Sequence, residues 1–168
     1  LPGSVETMLL TMTVLTLFLG NIVALRQTQF KRLMAYSSIA HTGFLLLAML
    51  GGDARTADVL FYYLGTYALA TVGLFIILTL AKRAAQGDEH IHIFRGLFRS
   101  NPWIAVAALL MLLSLAGIPL TAGFVAKYRV FMLGLSNGYL LTTLFAVAMA
   151  LLGIYYYVLV IREAFTPQ

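Results

Sequence analysis

A lysine and a histidine stand inside apolar runs of this sequence. Lys127 lies in the run from Trp103 to about Leu133, and His41 lies in the run from about Leu33 to Leu50. An ionisable side chain in such a run is costly in lipid and is a functional candidate by default. A buried lysine can pass between charged and neutral forms, and histidine is suited to proton relay, so both can hold and release a proton. Each also has a bland reading of about equal weight. Lys127 either faces the interior or snorkels to the outer interface, where Arg129 would accompany it. His41 either relays protons or bonds to a neighbouring helix as packing glue. Ser37 shares a helix face with His41, four residues away.

Other polar residues carry weaker signals. Tyr63, Thr66 and Tyr67 fall at i, i+3, i+4, beside Gly65 and Gly73, and this stripe favours interhelical packing over a water-lined route. Tyr155, Tyr156 and Tyr157 read mainly as an interfacial aromatic belt. Lys31 belongs to the basic connection from Arg26 to Arg32, where it either holds topology or points into the bundle. His90 and His92, with Asp88 and Glu89 nearby, give only a weak metal signal. Cysteine is absent from the chain, which excludes thiolate iron–sulfur or zinc sites and disulfides within it. No nucleophile elbow, Gly-rich phosphate loop or haem-ligand pair is present. Neither a catalytic residue nor a metal site is therefore assigned.

The elements that must position Lys127 and His41 follow from composition. Of the 168 residues, 61% are hydrophobic and 10% charged, against about 25% charged in an ordinary soluble domain. Mean hydropathy is +0.93. A soluble enzyme, a disordered segment and a nucleic-acid binder are all poor readings of these numbers. The apolar residues form five runs, spanning about 7–25, 33–50, 57–81, 103–133 and 139–161. Helix is the economical structure for such runs in lipid, because the backbone must satisfy itself, and the short alternating segments of a barrel are absent. The expected fold is all-α: a polytopic transmembrane helix bundle of five spans, one domain over residues 1–168.

The fourth run is too long for one simple helix. It covers 31 residues, where about 20 cross a bilayer. Gly117, Pro119 and Gly123 interrupt it, and Pro119 removes a backbone donor. A break at membrane depth is tolerated where protein or a watery cavity satisfies the freed groups, and broken helices recur in transporters. Lys127 follows this break by four residues.

Charge sets the orientation. With five spans, one side collects Arg26, Lys31, Arg32, Lys82, Arg83, Arg95, Arg99 and Arg162, and the other collects Arg55. Eight against one is a strong positive-inside signal. The fragment is expected to start outside at Leu1 and to end in the cytoplasm at Gln168. It begins with Leu1 rather than Met and has no signal peptide before the first run, so it reads as a piece of a longer protein.

Two motifs resemble a known family. The segment Gln27-Thr28-Gln29-Phe30-Lys31-Arg32-Leu33-Met34-Ala35-Tyr36-Ser37-Ser38-Ile39-Ala40-His41-Thr42-Gly43 is similar to the "QTxxKRxxAYSSIxHxG" signature of the antiporter-like subunits of respiratory complex I. Ser114 to Lys127 resembles the broken-helix signature of the same family. The resemblance implies an inverted-repeat fold of fourteen helices, of which this chain is one five-helix repeat, about helices nine to thirteen. Of the three branches, the L type has a "HxxxHxxxK" pattern where this chain has Tyr62, Thr66 and Ala70, and the M type usually has glutamate in place of Lys127. The N branch is the best match.

The resemblance assigns roles as well. Lys127 matches the terminal lysine of a proton pathway, Lys31 the lysine of the "KR" signature, and His41 a polar position on a central hydrated axis. It implies proton translocation coupled to quinone reduction elsewhere. No cofactor is expected in this chain; NADH, FMN, iron–sulfur clusters and quinone belong to other subunits. Partners would be the other membrane-arm subunits and the lipid bilayer, most simply a bacterial inner membrane, with no nucleic acid. The alternatives are a related subunit of a multisubunit cation/proton antiporter or membrane-bound hydrogenase, and a purely structural membrane subunit.

Overall fold

The computed structural model describes residues 2–84 and 90–167. Leu1, Asp88, Glu89, Gln168 and the side chain of Arg83 lie outside the described residues. Helices account for nearly all of the rest: α1 (Gly3–Ala24), α2 (Phe30–Met49), α3 (Thr56–Ala84), α4 (Leu97–Ser100), α5 (Pro102–Ala116), α6 (Ala122–Ser136) and α7 (Leu140–Phe165), with a 3₁₀ turn at Ile91–Phe94. Three of them, α1, α3 and α7, are long and apolar enough to cross a membrane. α2 has the length but carries Lys31, Arg32 and His41, which lower its hydropathy.

The fourth apolar run is two helices. α5 and α6 have 15 residues each, about 22 Å at 1.5 Å per residue, and neither alone matches a hydrocarbon core of about 30 Å. Local chemistry explains both ends of the break. α5 begins on Asn101, whose side chain accepts from Ile104 N–H, with Pro102 in the first turn. It stops at Gly117, which adopts φ +75°, the left-handed terminator that glycine reaches without strain. α6 restarts on Thr121, whose hydroxyl oxygen accepts from Phe124 N–H at 3.2 Å.

Helix ends elsewhere extend past the runs read from hydropathy. α2 takes in Lys31 and Arg32 as its first turn, and α7 continues through Arg162 and Glu163. The polar connection before α5 is itself structured. His92 Nδ1 at 2.9 Å and Arg95 Nε at 2.7 Å both engage Glu163 Oε2, and Ile91 N–H donates to Thr28 O at 2.9 Å. This segment therefore straps across the basic end of α7 and the α1–α2 connection. At the opposite end, Arg55 hydrogen-bonds Asp53 and lowers its carboxyl to about 2. The Asp53–Arg55 turn thus keeps its ion pair until the pH falls through that value.

α1 and α2 pack closely. A Cβ on Gly20 would meet Ala40 N at 2.6 Å, and one on Gly43 would meet Leu17 Cγ at 2.7 Å, so small residues let the two backbones touch. Two apolar clusters fill the interior. One gathers Phe30, Leu74, Phe94 and Leu112 and includes Tyr157; the other gathers Leu17, Phe44, Val130 and Leu133 and includes Tyr63. A layer of polar side chains joins them.

Candidate functional site: a buried lysine at a helix break

That layer begins at the end of α5. The last carbonyls of a helix have no intrahelical partner and carry the negative end of its dipole. Lys127, on the second turn of α6, is only 6% exposed and meets this need. Its Nζ donates to Leu115 O at 3.0 Å and Ala116 O at 3.4 Å, and lies 5.0 Å from the centre of the Phe44 ring. The lysine therefore faces the interior and does not snorkel. Arg129, two residues on, points the other way, where it pairs with Asp58 and lies over the Tyr62 ring.

The glycines of the break make this geometry possible. A Cβ on Gly123 would meet Ser114 O at 1.6 Å, and one on Gly117 would meet Lys127 Cδ at 2.9 Å. Gly123 N–H also donates to Ser114 Oγ at 3.0 Å. The start of α6 is thereby clamped against the end of α5, with Lys127 aimed back at the carbonyls. Pro119 sits exposed in the connection between them.

His41 on α2 is 5% exposed and uses both ring nitrogens. Nδ1 is 2.5 Å from Tyr63 Oη on α3, and Nε2 is 3.0 Å from Tyr157 Oη on α7. Tyr157 donates its proton to Ser37 Oγ at 2.7 Å, and Ser37 donates to Met34 O at 3.3 Å. These donors assign a tautomer: Nε2 carries the proton given to Tyr157, and Nδ1 accepts from Tyr63. The bonds then all run one way, Tyr63 to His41 to Tyr157 to Ser37. The Tyr67 ring lies 4.7 Å from the His41 ring.

The two parts meet in one cavity. His41, Tyr63, Thr66, Ser114 and Lys127 line a space of about 10 Å³ for the centre of a water-sized sphere, about the room one water needs. The structure thus brings Lys127, His41, Gly117 and Gly123 together. Lys31 is not part of this group; it is exposed in the first turn of α2.

Some residues have roles that their types did not announce. Tyr156 and Tyr157 are buried, at 2% and 0%, so the tyrosine triplet is no interfacial belt; only Tyr155 faces outward. Tyr156 donates to Asn21 Oδ1 at 3.0 Å. A lone asparagine in the first apolar run was a readable sign of an interhelical bond. Gly73 packs against Met111, as close packing predicts, whereas a Cβ on Gly65 would meet nothing within 4 Å. His90 and His92 stack on each other, and among the described residues no group of three potential ligands gathers around them.

Comparison with known proteins agrees with this architecture. NADH-quinone oxidoreductase subunit N of Herminiimonas arsenicoxydans is 38% identical over 97% of the chain, and that of Deinococcus radiodurans is 41% identical over 97%. The chain spans about a third of the length of these curated relatives, 35% and 33%. Among solved structures, respiratory complex I from Thermus thermophilus with bound aureothin contains a chain that superposes with a TM-score of 0.83 at 34% identity, covering 96% of this chain and 37% of that one. Residues 2–153 match the family described as NADH:quinone oxidoreductase/Mrp antiporter, TM, and with the broken helix and its buried lysine in place, the chain belongs to that family.

Proposed function

We propose that this chain is the second five-helix repeat, about helices nine to thirteen, of a proton-translocating membrane-arm subunit of a bacterial NADH:quinone oxidoreductase. The observation that carries the reading is Lys127, buried and held on the end carbonyls of a broken helix. A cation there has a fixed, low-dielectric partner and a titratable neighbour layer, which is what a proton-holding site requires. Lys127 takes a proton from the side of the His41 layer and gives it up toward the outer side. Lys31 serves the inner, basic end. Quinone reduction in other subunits, with NADH, FMN and iron–sulfur clusters, drives the cycle.

In this reading the chain crosses the membrane five times, with α5 and α6 together making the fourth span. The side collecting Arg26, Lys31, Arg32, Lys82, Arg95, Arg99 and Arg162 is cytoplasmic. Partners are the other membrane-arm subunits and lipid. Tyr62, Thr66 and Ala70 stand where a cation/proton antiporter subunit of the same family would keep histidines and a lysine, which favours the oxidoreductase.

The test is Lys127→Ala in the full-length chain within its complex. The complex should still assemble while proton translocation falls by at least about a hundredfold. Full translocation by an assembled variant refutes the reading. Co-purification without flavin and iron–sulfur subunits would move the chain to an antiporter assembly.

A further inference from the structure

The four carboxylates among the described residues are all engaged away from Lys127. Glu6 accepts from Tyr139, Asp53 and Asp58 pair with Arg55 and Arg129, and Glu163 takes His92 and Arg95. A buried ammonium is ordinarily balanced by such a group. Here Nζ meets two carbonyl oxygens and, 5.0 Å from its centroid, the face of the Phe44 ring.

The ring is as firmly placed as the carbonyls. Phe44 is 2% exposed. Its ring and that of Phe131 form a T-shaped pair at 5.9 Å, and Phe131 follows Lys127 by one helical turn on α6. On α2, Gly43 lies against Leu17 of α1, which fixes the turn that carries Phe44. His41 lies one turn earlier, its ring 6.3 Å from that of Phe44. An aromatic face carries negative charge density and attracts a cation within about 6 Å, most strongly where water is excluded. Filling the core would need only an apolar side chain of this size; turning a ring face to the ammonium is a further property.

We infer that Phe44 is a positioning residue for proton binding at Lys127: its ring face stabilises the ammonium form and so sets how tightly the lysine holds its proton. This rests on the reading of Lys127 as the proton-holding group. Among the described residues, the titratable side chains facing the lysine are His41 on α2 and Tyr63 and Tyr67 on α3, which line its cavity, and Tyr128 on α6, which lines the crevice on its other side. α5 and α7 bring no titratable side chain to either space. The sign follows. Without the ring the neutral amine is favoured, so the protonated form is lost at a lower pH, and the alkaline limb of the translocation profile moves down. A desolvated cation–π contact corresponds to about one pH unit.

The experiment measures proton translocation against pH with the full-length chain in its assembled complex. Phe44→Leu keeps an apolar side chain and removes the ring face. Replacement of Phe44 by mono-, di- and trifluorophenylalanine drains charge from the face in steps while nearly keeping its shape. Phe44→Leu should lower the alkaline limb by about one pH unit, and the fluorinated series should lower it progressively with each fluorine. If Phe44→Leu does not assemble, the fluorinated series carries the test alone. A parental limb throughout that series overturns the inference even where Phe44→Leu shifts it, because leucine would then act through packing. The Lys127→Ala variant separates the two ideas. Full translocation by it discards the reading of Lys127, whereas an inactive Lys127→Ala beside a parental fluorinated series removes the role of Phe44 alone.

Discussion

At the residue scale, the one-way order of bonds through His41 explains why Tyr157 matters more than its type suggests. Its hydroxyl is the shared partner of His41 and Ser37, all three buried. Tyr157→Phe leaves the His41 Nε2–H without an acceptor and the Ser37 oxygen without a donor. Interhelical hydrogen bonds in membranes average about 0.6 kcal/mol and reach about 1.7, so the loss should be about 1–2 kcal/mol. Unfolding of the purified subunit in a denaturing detergent would measure it. Tyr156→Phe removes one bond, to Asn21, and should cost about half as much. Equal midpoints for parent and Tyr157→Phe would show that the row adds nothing to stability.

At the scale of the elements, the break between α5 and α6 is held by backbone contact rather than by side-chain packing. Gly123 tolerates no Cβ against Ser114 O, whereas Gly65 faces open space in the middle of α3. Gly123→Ala should therefore abolish assembly or cost several kcal/mol, on the scale of overpacking and more. Gly65→Ala should be neutral or add up to about 1 kcal/mol through helix propensity. Blue-native gels of membranes carrying each variant would rank them; a well-assembled Gly123→Ala complex contradicts the clamp. These elements also show what sequence can reveal. Gly117, Pro119 and Gly123 were legible because breakers inside an apolar run have few physical explanations. The direction of Lys127 was not, because a lysine late in a run can reach either the interior or the interface. The burial of Tyr156 and Tyr157 was hidden for a related reason. α7 is apolar on every side, so no periodicity separates the face toward protein from the face toward lipid.

At the scale of the whole molecule, the outward surface is apolar over most of its length, with Phe61 and Leu69 at 78%, Leu141 at 81% and Trp103 at 84% exposed. Expressed alone, the chain should stay in the membrane fraction through alkaline carbonate extraction; release into the supernatant would contradict a spanning arrangement. A reporter fused after Gln168 should be active on the cytoplasmic side, as the charge distribution requires. Glu163 is the tie between the basic end of α7 and the strap carrying His92 and Arg95. Glu163→Gln weakens both charge-assisted bonds and should speed limited proteolysis at the 3₁₀ turn; unchanged cleavage would show the strap is held otherwise.

The bonds that α7 makes also impose an order in time. Tyr157 reaches back 116 residues to His41 and 120 to Ser37, and Tyr156 reaches back 135 to Asn21. At translation rates of about 5–20 residues per second, those partners wait on the order of ten seconds in the bilayer before α7 is made. During that interval α1 and α2 carry an asparagine, a serine and a histidine whose α7 partners do not yet exist. The α1–α2 pair, sealed at Gly20 and Gly43, is the form in which they wait. A chain stopped at Gly138 would keep the bonds of His41 to Tyr63 and of Ser37 to Met34 O but lack every bond these groups make to α7.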